Sequence, residues 1–204
     1  MIDFQAVCEL LRSRRSIREF DSRRPDRDRV RRLIEAACWA PSNHNRQGWK
    51  FIVFEDPRTI ARLASDVRGC LVGRLAQAPP AAARHAEEVL GFSTGFAKAP
   101  VVILAMHKHS AAVGDALLAG ATGPLASGEA LSTAMAVQNL LLAAHAMGLG
   151  ACVMTAPLLA GEVWSALGDL PTGFEPTCLV ALGYPAGIPA PPRRKPLEHV
   201  LEFR

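Results

Sequence analysis

Two short polar segments of the sequence carry the residue types that could hold a phosphorylated ligand. Residues 14–18 read Arg-Arg-Ser-Ile-Arg, which places three guanidinium groups and one hydroxyl within five residues. Arginine presents a planar fork of donors that binds phosphate oxygens in pairs, and a serine hydroxyl adds another donor. Residues 41–45, Pro-Ser-Asn-His-Asn, form a polar turn whose side chains can hydrogen-bond the edge of a ring. Together the two segments predict a site for a phosphorylated heterocyclic cofactor.

Composition predicts one domain spanning residues 1–204, because no linker or low-complexity tract interrupts the chain. Half of the residues are apolar, so a large core is expected. The N-terminal residues lack the pattern of a secretory signal, and no apolar run suggests membrane insertion. The five cysteines include no C-x-x-C pair, and four of them lie among apolar neighbours and are expected to be buried. We therefore expect a cytoplasmic protein with no membrane partner, disulfide or metal site.

The formal charge of +4 comes from an excess of basic residues, most of which are arginines. In residues 23–32 these arginines alternate with acidic residues, a pattern typical of a solvated helix face with ion pairs. A basic nucleic-acid-binding module is the alternative, and it predicts salt-sensitive binding to DNA. Aromatic residues are few and are not interleaved with the basic ones, so we expect no nucleic-acid partner.

Apolar periodicity and turn residues predict about five helices and four short strands. The predicted helices span residues 3–13, 25–40, 56–76, 127–147 and 158–167, and the predicted strands span residues 49–54, 101–106, 151–154 and 177–182. Residues 78–98 are expected to form a loop with a short helix, and the glycine-rich residues 107–128 a lid or an arm. Residues 127–147 form the longest predicted helix, apolar nearly all round, which favours a position in the core or in a subunit interface. The pattern predicts an α+β fold in which helices cover a small sheet, and it suggests dimerisation.

Six motifs in a fixed order carry a resemblance to a known family. The motifs are R-R-S-I-R-x-F at residues 14–20, A-P-S-N-H-N-x-Q-x-W-x-F at 40–51, Q-N-L-L-L-A-A at 138–144, G-L-G at 148–150, L-G-Y-P at 182–185 and R-K-P-L-E at 194–198. The chain resembles the nitroreductase family of FMN-dependent oxidoreductases over most of its length. One departure is Gly48, which stands where the family usually has proline.

The resemblance implies a nitroreductase-like sandwich with a small, mostly antiparallel sheet flanked by helices. It also implies an intertwined homodimer with two FMN sites at the subunit interface, each built from both chains. By position, the residues implied to bind the cofactor are Arg14, Arg15, Ser16, Arg18, Pro41, Ser42, Asn43, Asn45, Met154, Thr155, Ala156 and Arg194. No side chain is implied to be catalytic, because the cofactor carries the chemistry.

The first group of these residues would contact the phosphate end of FMN. Arg14, Ser16 and Arg18 are implied to hold the phosphate and the pyrimidine edge, whereas Arg15 would offer mainly backbone contact. Arg194 would supply a second contact to the phosphate or the ribityl chain. The alternative is a surface arginine cluster that pairs with nearby carboxylates, and for Arg194 simply a charged tail.

The other implied residues would contact the ring. Residues 41–45 would come from the second subunit and line the flavin and the substrate pocket. Residues 154–156 would present backbone amides to flavin N5 and O4, where negative charge develops on reduction. Trp49 is expected to be a core residue.

The function implied by the resemblance is an FMN-dependent NAD(P)H oxidoreductase. It would use NADH or NADPH to reduce a small flat acceptor such as a nitroaromatic, a quinone or an activated double bond. No G-x-G-x-x-G motif marks a dedicated NAD-binding domain, so reductant and acceptor would use the site in turn, in ping-pong fashion. Two alternatives remain open: a flavin-dependent oxidase, dehydrogenase or flavin-fragmenting enzyme on the same fold, and a non-enzymatic flavin-binding or redox-sensing protein.

Overall fold

A four-stranded antiparallel sheet organises the structure, a computed structural model that describes residues 3–80, 84–108, 128–168 and 170–204. The strands are β1 (Trp49–Phe54), β2 (Val101–Lys108), β3 (Gly150–Met154) and β4 (Phe174–Gly183). Their order is β1-β2-β4-β3, and all three pairings are antiparallel. The predicted small antiparallel sheet is therefore confirmed. The predicted excursion over residues 107–128 lies almost entirely outside the described residues.

Six α-helices surround the sheet within the described ranges, and short 3-10 helices connect several elements. The α-helices are α1 (Phe4–Ser13), α2 (Arg27–Cys38), α3 (Pro57–Leu75), α4 (Ala86–Thr94), α5 (Gly128–Ala146) and α6 (Gly161–Ser165). The 3-10 helices are Asn43–Asn45, Gly95–Lys98, Ala156–Leu159 and Leu197–His199. The first three α-helices begin after an aspartate whose carboxylate accepts hydrogen bonds from first-turn amides: Asp3, Asp26 and Asp56.

One detail of the predicted helices is wrong. The single helix expected over residues 158–167 is instead a 3-10 helix, Ala156–Leu159, followed by the short helix α6. The break falls at Ala160, whose backbone (φ −90°, ψ 58°) is not helical. Among the described residues α5 and α3 both have 19 residues, so the helix predicted to be the longest shares that length with α3.

The sheet separates two apolar cores, so the fold is a helix–sheet–helix sandwich. Alternate residues of β2 face opposite sides: Val101 belongs to the core beneath α2 and α5, and Val102 to the core beneath α3 and α4. Helix α5 buries one face, including Leu140, and leaves Leu131 and Met135 exposed on the other. The expected apolar helix is thus half in the core and half at the surface of the chain.

The expectation that four of the five cysteines are buried is wrong. Only Cys152 and Cys178 are buried, whereas Cys8 and Cys70 are half-buried and Cys38 is exposed. Burial raises the pKa of the Cys178 thiol to about 12, so this group stays protonated at neutral pH. Among the described residues no helix combines the length and apolar character needed to cross a membrane.

Candidate functional site

The predicted phosphate-binding residues meet at one polar pocket of about 300 Å³. Arg14, Arg15, Ser16 and Arg18 line it together with Arg194, which approaches from the C-terminal tail. The remaining walls are Pro189, Ala190 and Pro192. The structure thus brings residues 14–18 and Arg194 of the C-terminal tail to the same pocket.

The geometry of β3 explains how the 14–18 segment is held. Residue 16 pairs in parallel with Ala151, and the Ile17 N–H donates to the Ala151 carbonyl at 3.0 Å. A Cβ atom at Gly150 would come within 2.7 Å of the Ile17 side chain, so a glycine is required for this close approach. Segment 14–18 is therefore anchored to the edge strand β3 at Ser16 and Ile17.

The arginines of this pocket carry positive charge that the described residues do not neutralise. The two carboxylates that could have paired with them are engaged elsewhere: Glu19 binds Lys98 at 2.6 Å and Asp21 binds Arg23 at 2.7 Å. Hydrogen bonds from Arg23 also lower the pKa of the Asp21 carboxyl. Among the described residues no ion pair joins Arg14 to an acid, and none joins Arg18 or Arg194. The alternative reading of a paired surface cluster is therefore not what the structure shows.

Arg15 differs from its neighbours in the pocket. Its Nη1 donates to the chain's own carbonyl oxygens, of Arg12 at 2.5 Å and of Arg14 at 3.0 Å. Its Nε is buried and has no hydrogen-bond partner within the described ranges. A pocket with several guanidinium groups and no acidic wall residue fits a doubly charged phosphate.

A second, larger pocket of about 550 Å³ adjoins the first, and Arg18 lines both. Its walls are mainly apolar and come from α4, β3 and the sheet: Glu19, Glu88, Gly91, Phe92, Thr94, Gly95, Ala97, Lys98, Cys152, Met154 and Ala181. Sequence reasoning missed the α4 contribution, because residues 78–98 show little apolar periodicity. An arginine-rich pocket next to an apolar one can hold a ligand with a phosphate at one end and a ring system at the other.

The segment after β3 is held by two side-chain hydrogen bonds to its backbone. Met154 lines the apolar pocket, and Thr155 precedes the 3-10 helix. Ser93 Oγ donates to the Ala156 carbonyl at 3.2 Å, and Trp164 Nε1 donates to the Pro157 carbonyl at 2.8 Å. Because Trp164 is buried, this segment is fixed beside the apolar pocket.

The polar segment of residues 41–45 lies at the start of α5. Asn43 N–H donates to Ser132 Oγ at 3.1 Å, and Asn43–Asn45 forms one 3-10 turn. Two residues of this turn and one that follows have positive φ, namely His44 (49°), Asn45 (53°) and Gln47 (49°). Such values are uncommon for residues other than glycine and mark a locally strained backbone.

Within one chain the structure does not bring this segment to the arginine pocket. The chain immediately before Arg14 is fixed at the opposite end of α5, where Ser13 Oγ lies 2.7 Å from His145 Nε2. Ser132 and His145 are thirteen residues apart, which is about 20 Å along a helix that rises 1.5 Å per residue. The two groups of predicted residues therefore occupy opposite ends of the central helix.

One buried charged residue near the polar segment was missed by sequence reasoning. Glu129, in the first turn of α5, forms a salt bridge of 3.4 Å with Arg46. Its only sequence signal is that it is a lone acid at the start of an otherwise apolar helix. Within the same described ranges, no cluster of three or more His, Cys, Asp and Glu side chains could hold a metal ion.

Comparisons with known proteins agree with this architecture. The model of the nitroreductase family matches residues 11–184. An NADH dehydrogenase from Thermus thermophilus is 31% identical over 202 residues, which cover 94% of this chain and 92% of the relative. A BluB-like flavoprotein from Clostridium difficile superposes with a TM-score of 0.85 at 24% identity, with full coverage of both chains. A structure from Desulfovibrio desulfuricans, described as a nitroreductase in complex with FMN, has a TM-score of 0.69 at 27% identity and covers 100% of this chain and 99% of its own.

The chain therefore belongs to the nitroreductase family. The resemblance stated from the motifs is confirmed, and so are the predicted sandwich fold and the predicted class of enzyme, an oxidoreductase of this family.

Proposed function

We propose that the protein is an FMN-dependent NAD(P)H oxidoreductase that reduces a small flat acceptor. The observation that carries this proposal is the arginine pocket beside an apolar pocket, joined by Arg18. The FMN complex of the Desulfovibrio desulfuricans protein and the name of the Thermus thermophilus relative support the same cofactor and reductant. When bound, FMN supplies the two-electron transfer from the nicotinamide to the acceptor.

The residues of the arginine pocket would bind the phosphate and orient the ring. Arg14, Ser16 and Arg194 supply donors without competing carboxylates, so they can neutralise a dianion. Arg18 lies where the polar pocket passes into the apolar one, and its positive charge favours an electron-rich ring edge there. Phe92 and Met154 give the second pocket apolar walls, which suit an aromatic acceptor.

We further propose that the active unit is a homodimer in which a second copy supplies residues 41–45. The separation of the two groups along α5 requires another chain if both are to contact one ligand. The apolar face of α1, formed by Phe4, Val7 and Leu11, is exposed although α1 is amphipathic. The residues after position 186 are exposed as well, including Phe203 at 89%. Such uncovered apolar surface is typical of a chain that buries it against a partner.

The test of this function is an absorbance spectrum of the purified protein, recorded anaerobically before and after adding NADH or NADPH. We expect flavin bands that bleach with at least one of the two nucleotides and return when a nitroaromatic or a quinone is added. Flavin that stays oxidised with both nucleotides would overturn the reductase assignment and favour an oxidase or a sensor. Absence of flavin, even after incubation with FMN, would overturn the cofactor assignment itself.

A further inference from the structure

Glu129 is a buried carboxylate with an incomplete set of hydrogen bonds. Its side chain is 7% exposed, and Oε1 faces Arg46 Nη1 at 3.4 Å. Its Oε2 is buried and has no hydrogen-bond partner in the part of the chain that the structure describes. Burying a carboxylate oxygen without a hydrogen-bond partner is unfavourable, so packing alone does not explain a glutamate at position 129.

The unpartnered oxygen lies against Gly48. A Cβ atom at this position would stand 2.8 Å from Glu129 Oε2, closer than nonbonded atoms allow. The backbone cannot easily move away, because the Gly48 carbonyl accepts a hydrogen bond of 2.7 Å from the Lys108 N–H at the end of β2. Gly48, which stands where the family usually has proline, therefore leaves room for the Glu129 carboxylate. A larger residue at position 48 would clash with this carboxylate.

The first turn of α5 contacts the polar segment at both of its ends. Ser132 Oγ accepts from Asn43 N–H at 3.1 Å and itself donates to the Gly128 carbonyl at 2.8 Å. Glu129 contacts the far end, through Arg46 and Gly48. Between these two anchors lie the residues with positive φ, whose conformation needs support from its surroundings.

We propose that Glu129 is a positioning residue that fixes residues 41–48 in the conformation that walls the acceptor side of the flavin site. It acts through Arg46 and through its contact with Gly48, and it does not itself touch the ligand. This inference rests on the proposed function, because only a flavin site gives the 41–48 segment an acceptor to contact. Since the phosphate would be bound by the arginine pocket, to which residues 41–48 contribute no donor, Glu129 should affect acceptor binding much more than flavin retention.

The test compares Glu129→Ala and Glu129→Gln by hydrogen–deuterium exchange and by steady-state kinetics on the flavin-loaded protein. In Glu129→Ala we expect faster exchange of the amides of residues 42–48 and a rise in acceptor KM of about ten-fold or more, with flavin content unchanged. Glu129→Gln keeps the volume and one oxygen for Arg46, so it should restore most of the protection and most of the KM. If the alanine variant fails to fold, Gly48→Ala keeps the test decisive, because its new methyl group displaces the same carboxylate.

A double-mutant cycle isolates the contact with Gly48. Gly48→Ala alone should loosen the segment as Glu129→Ala does, because the new methyl group displaces the carboxylate. In the Glu129→Ala background the same substitution should add little, since the clashing atom is gone. Gly161→Ala is the matched control, because a Cβ atom there meets nothing within 4 Å. Additive effects of the two substitutions would overturn the pairing.

Two further outcomes separate this inference from the proposed function. If the wild-type protein binds no flavin, the proposed function is wrong, and so is the role of Glu129 in an acceptor site. The exchange data would still show whether Glu129 orders residues 41–48. If Glu129→Ala changes exchange but leaves acceptor KM unaltered in a flavin-loaded reductase, Glu129 is only structural and the inference is wrong.

Discussion

At the scale of single residues, the arginine pocket gathers several guanidinium groups and has no acidic residue in its walls. Several arginines of this chain pair with carboxylates, as Arg27 does with Glu55 at 2.8 Å. Arg14, Arg18 and Arg194 instead line a pocket whose walls carry no carboxylate. A charge-assisted hydrogen bond to a bound anion contributes about 1.5–3 kcal/mol, so a cluster of such donors can retain FMN through its phosphate alone.

Replacing Arg14 and Ser16 together with alanine should abolish FMN retention and leave a folded protein. The loss of two donors to a dianion should raise the Kd of FMN by about a hundred-fold or more, which fluorescence titration of the apoprotein can measure. Arg68→Ala removes an exposed arginine of α3 that lies outside the pocket and serves as the matched control. A double variant that purifies with a full complement of flavin would show that the phosphate binds elsewhere.

At the scale of elements, a polar cluster joins α3 to Leu159 and Glu162. These two residues follow residues 154–156, the segment implied to contact the flavin ring. Arg74 Nη2 binds Glu162 Oε1 at 2.5 Å, and Arg74 Nη1 donates to the Leu159 carbonyl at 2.6 Å. Cys70 Sγ donates to the other Glu162 oxygen at 3.1 Å. The hydrogen bond from Arg74 is the main cause that lowers the pKa of Glu162 from 4.5 to about 2, and the same carboxylate raises the pKa of the Cys70 thiol.

The Glu162 carboxylate should therefore stabilise the fold in a pH-dependent way. Its folded pKa is below its unfolded one, so the contribution is complete above about pH 4.5 and is lost as the pH falls towards 2. The urea midpoint of Glu162→Gln should lie below that of the wild type at pH 7, and the difference should narrow below pH 4.5. The effect should be small, because the side chains are more than half exposed and solvent screens the pair.

A matched variant controls for the loss of one charge. Glu35→Gln removes an exposed acid of α2 outside this cluster. The difference in urea midpoint between the wild type and Glu162→Gln should be smaller at pH 3 than at pH 7. An equal difference at both pH values would contradict the assignment of this stability to the Arg74 ion pair.

At the scale of the whole molecule, the two groups of candidate site residues should act across a dimer interface. Arg14→Ala/Ser16→Ala lacks the phosphate donors, and Asn43→Ala/Asn45→Ala lacks the polar side chains of the other segment. Each homodimer should be inactive, but a purified heterodimer of the two variants should show about half of the wild-type activity, because one of its two sites is intact.

The control for this complementation is the mass of the particle in solution, which light scattering should place at twice that of the chain. A heterodimer that stays inactive while both parent chains fold would show that each site is built within one chain. A monomeric wild-type protein that turns over NAD(P)H would contradict the shared site altogether.

Much of the fold could be predicted because its signals are local. The bounds of α1, α3 and β1 follow from apolar spacing, from aspartate caps and from β-branched or aromatic composition, and the structure confirms them to within about two residues. The helix expected over residues 158–167 failed because Ala160 adopts a non-helical backbone that its own side chain does not signal. The prediction of four buried cysteines failed for two because burial depends on what covers a face, and the described residues cover the face of α1 that carries Cys8 only in part.

The sequence by itself determined the residue types of the candidate site and their order, since the motifs name the arginines, the polar turn and the tail residue. Only the tertiary structure decided which of them share a pocket. Arg194 meets Arg14 because the tail returns to the edge of the sheet, and Phe92 joins the apolar pocket because α4 packs beside β3. It also decided that Gly48 faces a buried carboxylate from a helix eighty residues further along the chain. The physical reason is that charge balance, close contacts and unpaired buried hydrogen-bonding groups depend on distances in three dimensions. Residues far apart in sequence come to these distances only when the chain is folded.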